Sequence, residues 1–254
     1  MLRNTFRHIA GIGQEEERVL WRHGVLRWDQ VPHLRFELFS PELTTRLRAG
    51  AAESIHRLRL GDALYFMQRL PPELWPRLYP EFSDRFCYLD IETTGLDPDA
   101  DHITVVTLVH GDRAKTYVWG RTLHRFPLEV PEDALFVTFN GERLDLPMLA
   151  ARFGHAVVRP QIDLQRVLKA YGHRGGLKQI EPTFRIRRHP GVALDGVEAV
   201  ELWKRYVDEY NGNALDALIA YNRRDASTLQ AIIKQLYRQS MQGFPRPFCS
   251  LKTE

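Results

Sequence analysis

Phe86 to Gly95 read FCYLDIETTG, and this stretch decides the fold. Aromatic and branched residues fill its first half, and Thr93 to Gly95 close it with turn-forming chemistry, so we predict a buried β-strand that runs into a sharp turn. Asp90 and Glu92 lie inside this strand. Because side chains alternate across a strand, the two carboxylates emerge on the same face, about 6–7 Å apart along the strand.

Two negative charges on one face of an apolar strand are costly unless a positive group neutralises them. A divalent cation is the simplest candidate. An isolated D-x-E pair is, however, more often a strand end that has reached solvent. The rest of the chain decides between these two interpretations.

The composition sets broad limits on what the protein is. The 254 residues allow one large domain or a domain with an appendage. The chain has no run of about 18 apolar residues and no apolar signal-peptide core near its start, so we expect a cytoplasmic protein without a membrane span. Cys87 and Cys249 are far apart in sequence, which argues against a disulfide framework or a zinc cluster. The net charge of +3 permits nucleic-acid binding without arguing for it strongly.

Residues 1–83 are predicted to form a small helical region. The turn Gly11-Ile12-Gly13 precedes a charged helix with Glu15 to Glu17 in its first turn, where acids favour the helix dipole. This turn resembles a helix-hairpin-helix motif, which implies backbone N–H groups that hold a nucleic-acid phosphate independently of sequence. Ala10 departs from the motif, where a proline is usual. An ordinary helix that packs on the next domain is an equal alternative.

The remainder of this region is predicted to be helical as far as a proline-rich stretch. Prolines between Pro71 and Pro80 break the helical pattern and indicate a linker, so we place a domain boundary near residue 83. Four arginines follow the apolar stripe of the preceding helix, and a solvated helix face explains them better than phosphate contacts: Arg46, Arg48, Arg57 and Arg59.

Residues 84–240 are predicted to form an α/β domain, followed by a poorly ordered tail over 241–254. His102 to His110 and Ala114 to Trp119 are strongly β-forming, which indicates an antiparallel meander of three strands. Leu135 to Phe139 predict another buried strand. A short strand and a helix follow, with Asp163 as the helix N-cap. Long helices are predicted over 195–210 and 213–238.

Three further signals accompany Asp90 and Glu92. The run FNGERLD places a strand end, a turn and the acid Asp145 at a helix start. Tyr221 and Asp225 are four residues apart and therefore share one face of the last long helix. The third signal is the order of these motifs along the chain.

This ordered set resembles the DEDD-type, DnaQ-like 3′–5′ exonucleases of the ribonuclease H-like superfamily, in their tyrosine-bearing subgroup. Asp90 and Glu92 match the first motif, Asp145 the second, and Tyr221 with Asp225 the third. With its helical N-terminal region, the chain also resembles a bacterial family of ribonuclease H-like exonuclease-type proteins. The resemblance implies a mixed five-stranded sheet flanked by helices, with the acids gathered at one edge of the central strands.

The resemblance also implies hydrolysis of phosphodiester bonds by a two-metal mechanism. That chemistry needs an activated water and a stabilised leaving oxygen, and two hard cations about 3.5–4 Å apart supply both. Mg²⁺ and Mn²⁺ prefer oxygen ligands, which would come from four acids: Asp90, Glu92, Asp145 and Asp225. Tyr221 would orient the water, since a phenol with a pKa of about 10 is a poor base. A tyrosine that only packs is the alternative.

Substrate contacts are expected from residues close to these motifs, namely Thr93, Gly95, Asn140 and Lys178. A role as a turn former is equally plausible for Asn140. Arg185 to Arg188 form a basic cluster that could add phosphate contacts. DNA is favoured over RNA as the partner, with repair as the setting. The competing interpretations are a catalytically silent nucleic-acid-binding protein and a subunit associated with a polymerase or repair complex.

Overall fold

The computed structural model describes residues 1–34, 38–187, 196–241 and 244. It divides into two compact units. One comprises Met1–Phe82 with the described residues from Tyr237 onwards, and the other comprises Ser83–Leu236. Arg188, Cys249 and most of the predicted tail lie outside the described residues.

The first unit is helical, as its sequence predicts. It contains α1 (Gln14–Arg22), α2 (Pro41–Arg59), α3 (Ala63–Arg69) and α4 (Tyr79–Phe82), with 3₁₀ helices at Leu2–Asn4, Trp28–His33 and Pro72–Leu78. Asp62 and Ser40 cap α3 and α2 through their side chains. The buried rings of Trp28 and Phe66 stack with their centroids 5.5 Å apart, which joins α3 to the second 3₁₀ helix within the core of this unit.

The prediction of a linker at the prolines is wrong. Pro72–Leu78 is a 3₁₀ helix whose Leu74 to Leu78 are all buried. Proline fixes φ near −65°, which a 3₁₀ helix accepts, so these prolines shape a packed segment rather than interrupt one. Arg77 in this segment makes a buried ion pair with Glu17 of α1, at 3.1 Å between Nη1 and Oε2. Glu17 also accepts a hydrogen bond from the Phe6 amide at 2.7 Å.

The second unit is built on a five-stranded sheet in the order β3-β2-β1-β4-β5. The strands are β1 (Phe86–Thr93), β2 (Ile103–His110), β3 (Arg113–Val118), β4 (Leu135–Thr138) and β5 (Gln161–Asp163). The first three form an antiparallel meander, whereas β4 pairs parallel to β1 and β5 parallel to β4. This arrangement confirms the predicted mixed five-stranded sheet.

The strand order makes β1 the central strand, and helices cover both faces of the sheet. The apolar side chains of β1 are therefore buried, including Cys87. The helices are α5 (Phe126–Glu129), α6 (Asp145–Phe153), α7 (Leu164–Ala170), α8 (Leu177–Ile180), α9 (Gly196–Asp208) and α10 (Gly212–Ser240). Residues of α5 and α6 pack with one set of strand side chains, and residues of α9 and α10 pack with another. None of the described helices combines the length and apolarity that a membrane span requires.

Candidate active site

Four acids from three elements share one site at the end of β1. Asp90 and Glu92 lie on β1, Asp145 is the first residue of α6, and Asp225 lies on α10. Burial raises the pKa of Asp90 well above its ordinary value, and the negative charges of Glu92, Asp225 and Asp145 raise it further. The structure therefore brings together the four acids that the sequence selected.

Burial is also the main cause of the remaining pKa shifts in the site, and nearby negative charges add to it. Burial raises the pKa of Glu92 to about 8, and the charges of Asp225 and Asp145 add to this, while a hydrogen bond from Asn222 and the charge of Lys178 oppose it. Burial also raises the pKa of Asp145 to about 7, against hydrogen bonds from backbone amides. Near neutral pH the cluster therefore retains protons unless a cation replaces them.

Tyr221 lies one turn before Asp225 on α10, and both side chains are buried. Their side chains are hydrogen-bonded, which makes the phenol the donor to the Asp225 carboxylate. Burial raises the pKa of the Tyr221 hydroxyl, and the charges of Asp225 and Glu92 raise it further, so the group is a neutral donor rather than a base. This placement is compatible with the predicted orienting role and also with a packing role.

Asn222 is a site residue that the sequence analysis missed. Its side chain is 0% exposed, and its Nδ2 donates hydrogen bonds to Asp90 Oδ2 at 2.7 Å and to Glu92 Oε1 at 3.4 Å. A signal for it existed in the pattern of α10, because the buried stripe of this helix runs through Leu218, Tyr221, Asn222, Asp225, Ala226 and Leu229. An asparagine in an otherwise inward-facing stripe predicts a buried polar contact.

Of the predicted substrate-binding residues, Lys178 is placed at the acids. Its Nζ lies 5.7 Å from the centroid of the Tyr221 ring. Thr93 and Gly95 instead build the turn after β1, where the Thr93 hydroxyl donates to the Gly95 carbonyl. A Cβ on Gly95 would stand 2.3 Å from Oδ2 of Asp101, so a larger residue there would have to displace the Asp101 carboxylate. These contacts account for Thr93 and Gly95 structurally, whatever else they bind.

Asn140 follows β4 in the left-handed conformation, with φ of 61°, which fits its role as a turn former. The backbone N–H of Asn140 donates to Asp163 Oδ1 at 2.9 Å. Asp163 also accepts from the Gln165 amide at 2.9 Å, which confirms it as the N-cap of α7. Asn140 lines a cleft of about 420 Å³ together with the cations Arg143, Arg166 and Lys169.

Arginines line two further clefts. In the first unit, a cleft of about 890 Å³ is lined by the residues from Ile9 to Gly13 and by Arg7, Arg46 and Arg69. In the second unit, Arg185 and Arg187 line a cleft of about 720 Å³. The basic side chains that the sequence singled out are therefore distributed over separate surfaces, and only Lys178 is placed against the acid cluster by a contact among the described residues.

The donor chemistry of the site fits a hard divalent cation. All four acids offer carboxylate oxygens, and the buried Oδ1 of Asn222 has no hydrogen-bond donor among the described residues. Oxygen ligands of this kind suit Mg²⁺ and Mn²⁺, and a cation would relieve the mutual repulsion of the carboxylates. Within the described ranges no three His, Cys, Asp or Glu side chains form a group that could hold a metal ion.

The raised pKa of Glu92 predicts an unusual pH dependence of stability. Its ordinary pKa of 4.5 becomes about 8 on folding, so the folded state binds more protons than the unfolded state between these values. The free energy of unfolding should therefore fall as pH rises from about 4.5 to about 8. Thermal unfolding of metal-free protein between pH 5 and 8.5 should show a falling Tm, and Glu92→Gln should flatten this slope.

Glu129→Gln is the control for this experiment, because the hydrogen bond and charge of Lys115 lower the pKa of Glu129 and it does not titrate in this window. The slope of this control should equal that of the wild type. An identical slope in Glu92→Gln and the wild type would contradict the assignment of the effect to Glu92.

Comparisons with solved structures match the following chains at low identity. NrnC from Brucella melitensis bound to pGG is 22% identical, with 61% of this chain and 83% of that chain covered and a TM-score of 0.35. NrnC from Brucella melitensis with bound Mg²⁺ is 18% identical, with 65% and 90% covered and a TM-score of 0.35. A nuclease in its apo form is 20% identical, with 64% and 88% covered and a TM-score of 0.33. No curated protein matches the chain.

The chain also matches a model of a protein family. The family described as the RNase_H superfamily matches residues 87–237, which is more than half of the chain. The match includes the five-stranded sheet and extends through the part of α10 that carries Tyr221 and Asp225. Sheet topology, helix placement and sequence match agree, and the chain belongs to the RNase H superfamily.

Proposed function

We propose that this protein is a metal-dependent 3′–5′ exonuclease that hydrolyses phosphodiester bonds of nucleic acid. The observation that carries the proposal is the convergence of four acids on one site. Glu92, Asp145 and Asp225 all lie close enough to Asp90 for their charges to raise its pKa. A surface that only binds nucleic acid gains nothing from a negative pocket that faces phosphates. The cluster therefore favours catalysis over the silent, purely binding alternative.

The site residues have different roles in the proposed hydrolysis. Divalent cations, when bound, supply an activated water and stabilise the leaving 3′ oxygen. The four carboxylates would hold these cations, and Lys178 would place a positive charge near the substrate phosphate. Tyr221 orients the attacking water through its hydroxyl, because it lies beside the Asp225 carboxylate.

Finer features of the proposal come from the resemblance to the DEDD-type exonucleases in their tyrosine-bearing subgroup. They are two cations of Mg²⁺ or Mn²⁺, a 3′–5′ direction, DNA in preference to RNA, and a setting in repair. We also propose that residues 1–83 form a separate helical domain and that residues 84–240 form the catalytic domain.

The central test removes one carboxylate without changing its shape. Asp90→Asn should lower the hydrolysis rate at least ~10³-fold, because the metal-generated nucleophile is lost with its ligand. The assay follows 5′-labelled DNA and RNA oligonucleotides with Mg²⁺, with Mn²⁺ or with excess EDTA. Glu129→Gln, which removes a carboxylate from α5, should retain the wild-type rate.

Different results of this assay would contradict the metal dependence and the 3′–5′ direction. Full activity in Asp90→Asn or in EDTA would contradict metal-dependent hydrolysis at this site. A single labelled mononucleotide as the first product, rather than a ladder of shortening products, would contradict the 3′–5′ direction.

Tyr221→Phe tests the orienting role, because it keeps the ring and removes only the hydroxyl. The turnover rate should fall about 10–10³-fold if the hydroxyl orients the attacking water. Loss of the hydrogen bond to Asp225 should cost about 0.5–1.5 kcal/mol of unfolding free energy. Tyr206→Phe on α9 is the control and should change neither quantity. An unchanged rate in Tyr221→Phe would show that Tyr221 only packs.

We further propose that the cleft at Gly11 to Gly13 holds a phosphate of the nucleic acid. The Gly13 amide already donates to Glu16 Oε2 at 2.9 Å, so the arginine side chains, rather than this amide, would make the contact. Arg7, Arg46 and Arg69 line the cleft, and guanidinium groups bind phosphate oxygens well. This proposal concerns binding and is independent of the catalytic residues.

Arg46→Ala should weaken binding of an oligonucleotide and reduce the slope of log affinity against log salt by about 1, as expected for one lost phosphate contact. Binding is measured by fluorescence anisotropy in the Asp90→Asn background, so that cleavage does not interfere. Arg48→Ala is the matched control, since Arg48 lies on the same helix but does not line the cleft. Equal salt slopes for Arg46→Ala and Arg48→Ala would contradict a phosphate site in this cleft.

A further inference from the structure

We propose that Asn222 is a positioning residue for the cation site, because its amide fixes one oxygen of Asp90 and one of Glu92 and leaves the other oxygen of each to bind a cation. The inference rests on the proposed function, since it takes these carboxylates as metal ligands. It assigns to the side chain a role that neither packing nor charge balance requires.

The geometry of the amide matches the spacing of the two acids. Asp90 and Glu92 are two apart on β1 and emerge on the same face of the strand. The Asn222 amide carries two N–H donors on one nitrogen. This nitrogen lies 2.7 Å from Asp90 Oδ2 and 3.4 Å from Glu92 Oε1, so one rigid group from α10 restrains both side chains at once.

The side-chain amide of Asn222 carries no charge, which suits a group that orders metal ligands. A lysine or arginine at this position would neutralise the carboxylates and compete with a divalent cation for them. An amide restrains the same oxygens without removing their charge. Asn222 therefore orders the ligands while the negative charge that attracts a cation is preserved.

The Oδ1 atom of Asn222 indicates that the side chain does more than stabilise the fold. Asn222 is 0% exposed, yet among the described residues no donor reaches its Oδ1. A buried acceptor without a donor destabilises the folded state, and a leucine of similar size would avoid that cost. Such unsatisfied groups are a recurrent feature of working sites.

The experiment measures metal binding directly, in the absence of substrate. Mn²⁺ is titrated into the full-length wild-type protein, Asn222→Leu and Asn222→Ala, and free Mn²⁺ is followed by electron paramagnetic resonance. Both substitutions should weaken Mn²⁺ binding about 10–100-fold, the effect typical of losing a group that orients metal ligands. Thermal unfolding in EDTA identifies which variants are folded.

Thr228→Val is the matched control on the same helix. The Thr228 hydroxyl is buried and donates to the buried Glu181 at 3.2 Å, so this substitution also removes a donor from a buried carboxylate, but outside the acid cluster. It should leave Mn²⁺ affinity unchanged whatever it does to Tm.

The outcomes separate this inference from the proposed function. Wild-type Mn²⁺ affinity in a folded Asn222→Leu or Asn222→Ala protein would overturn the positioning role while leaving the nuclease proposal intact. Equal losses in the Asn222 variants and Thr228→Val would also overturn it, because they would indicate a general effect of destabilisation. A wild-type protein that binds no Mn²⁺ would overturn the proposed function and, with it, this inference.

Discussion

The burial of four carboxyl groups together at the end of β1 is the constraint that the second unit has to satisfy. Each acid reaches the site from an element whose position is fixed elsewhere: β1 by strands on both sides, α6 and α10 by packing with the sheet. The apolar contacts of these elements provide the free energy that holds like charges together. A sheet with helices on both faces is therefore the precondition for the site, and burial inside it raises the pKa values of Glu92 and Asp145.

The sheet was accessible from the sequence because its strands are short, apolar and bounded by turn residues. The meander of β1 to β3 and the cap at Asp163 followed from local patterns alone. The segment Pro72–Leu78 did not, because proline reports only the local φ angle and not whether the surrounding residues are buried. Its packing depends on Trp75, whose indole donates to the carbonyls of Met67 and Leu70, contacts that no local pattern shows.

The acids of the site were predictable because their order along the chain is distinctive and each lies at a recognisable element boundary. The particular contacts that their neighbours make were not predictable. Asn222 faces Asp90 only because α10 docks with a particular rotation, and Lys178 reaches Tyr221 only because α8 is a single turn held near it. Substrate-contact predictions at Thr93 and Gly95 could not be separated from turn chemistry by sequence, since the same residue types serve both purposes.

The buried pair of Arg77 and Glu17 has a consequence for how this chain can be divided or recombined. Glu17 belongs to the first long helix, and its partner lies 60 positions later, immediately before the second unit begins. A chain shortened to start at α2 would bury a guanidinium without its counter-charge, which proteins tolerate poorly. The first unit also includes residues from Tyr237 onwards, and the Tyr237 ring stacks on Tyr79 with centroids 5.7 Å apart. Gene fusion or domain exchange that moves Met1–Phe82 alone would therefore separate it from the end of α10 with which it packs.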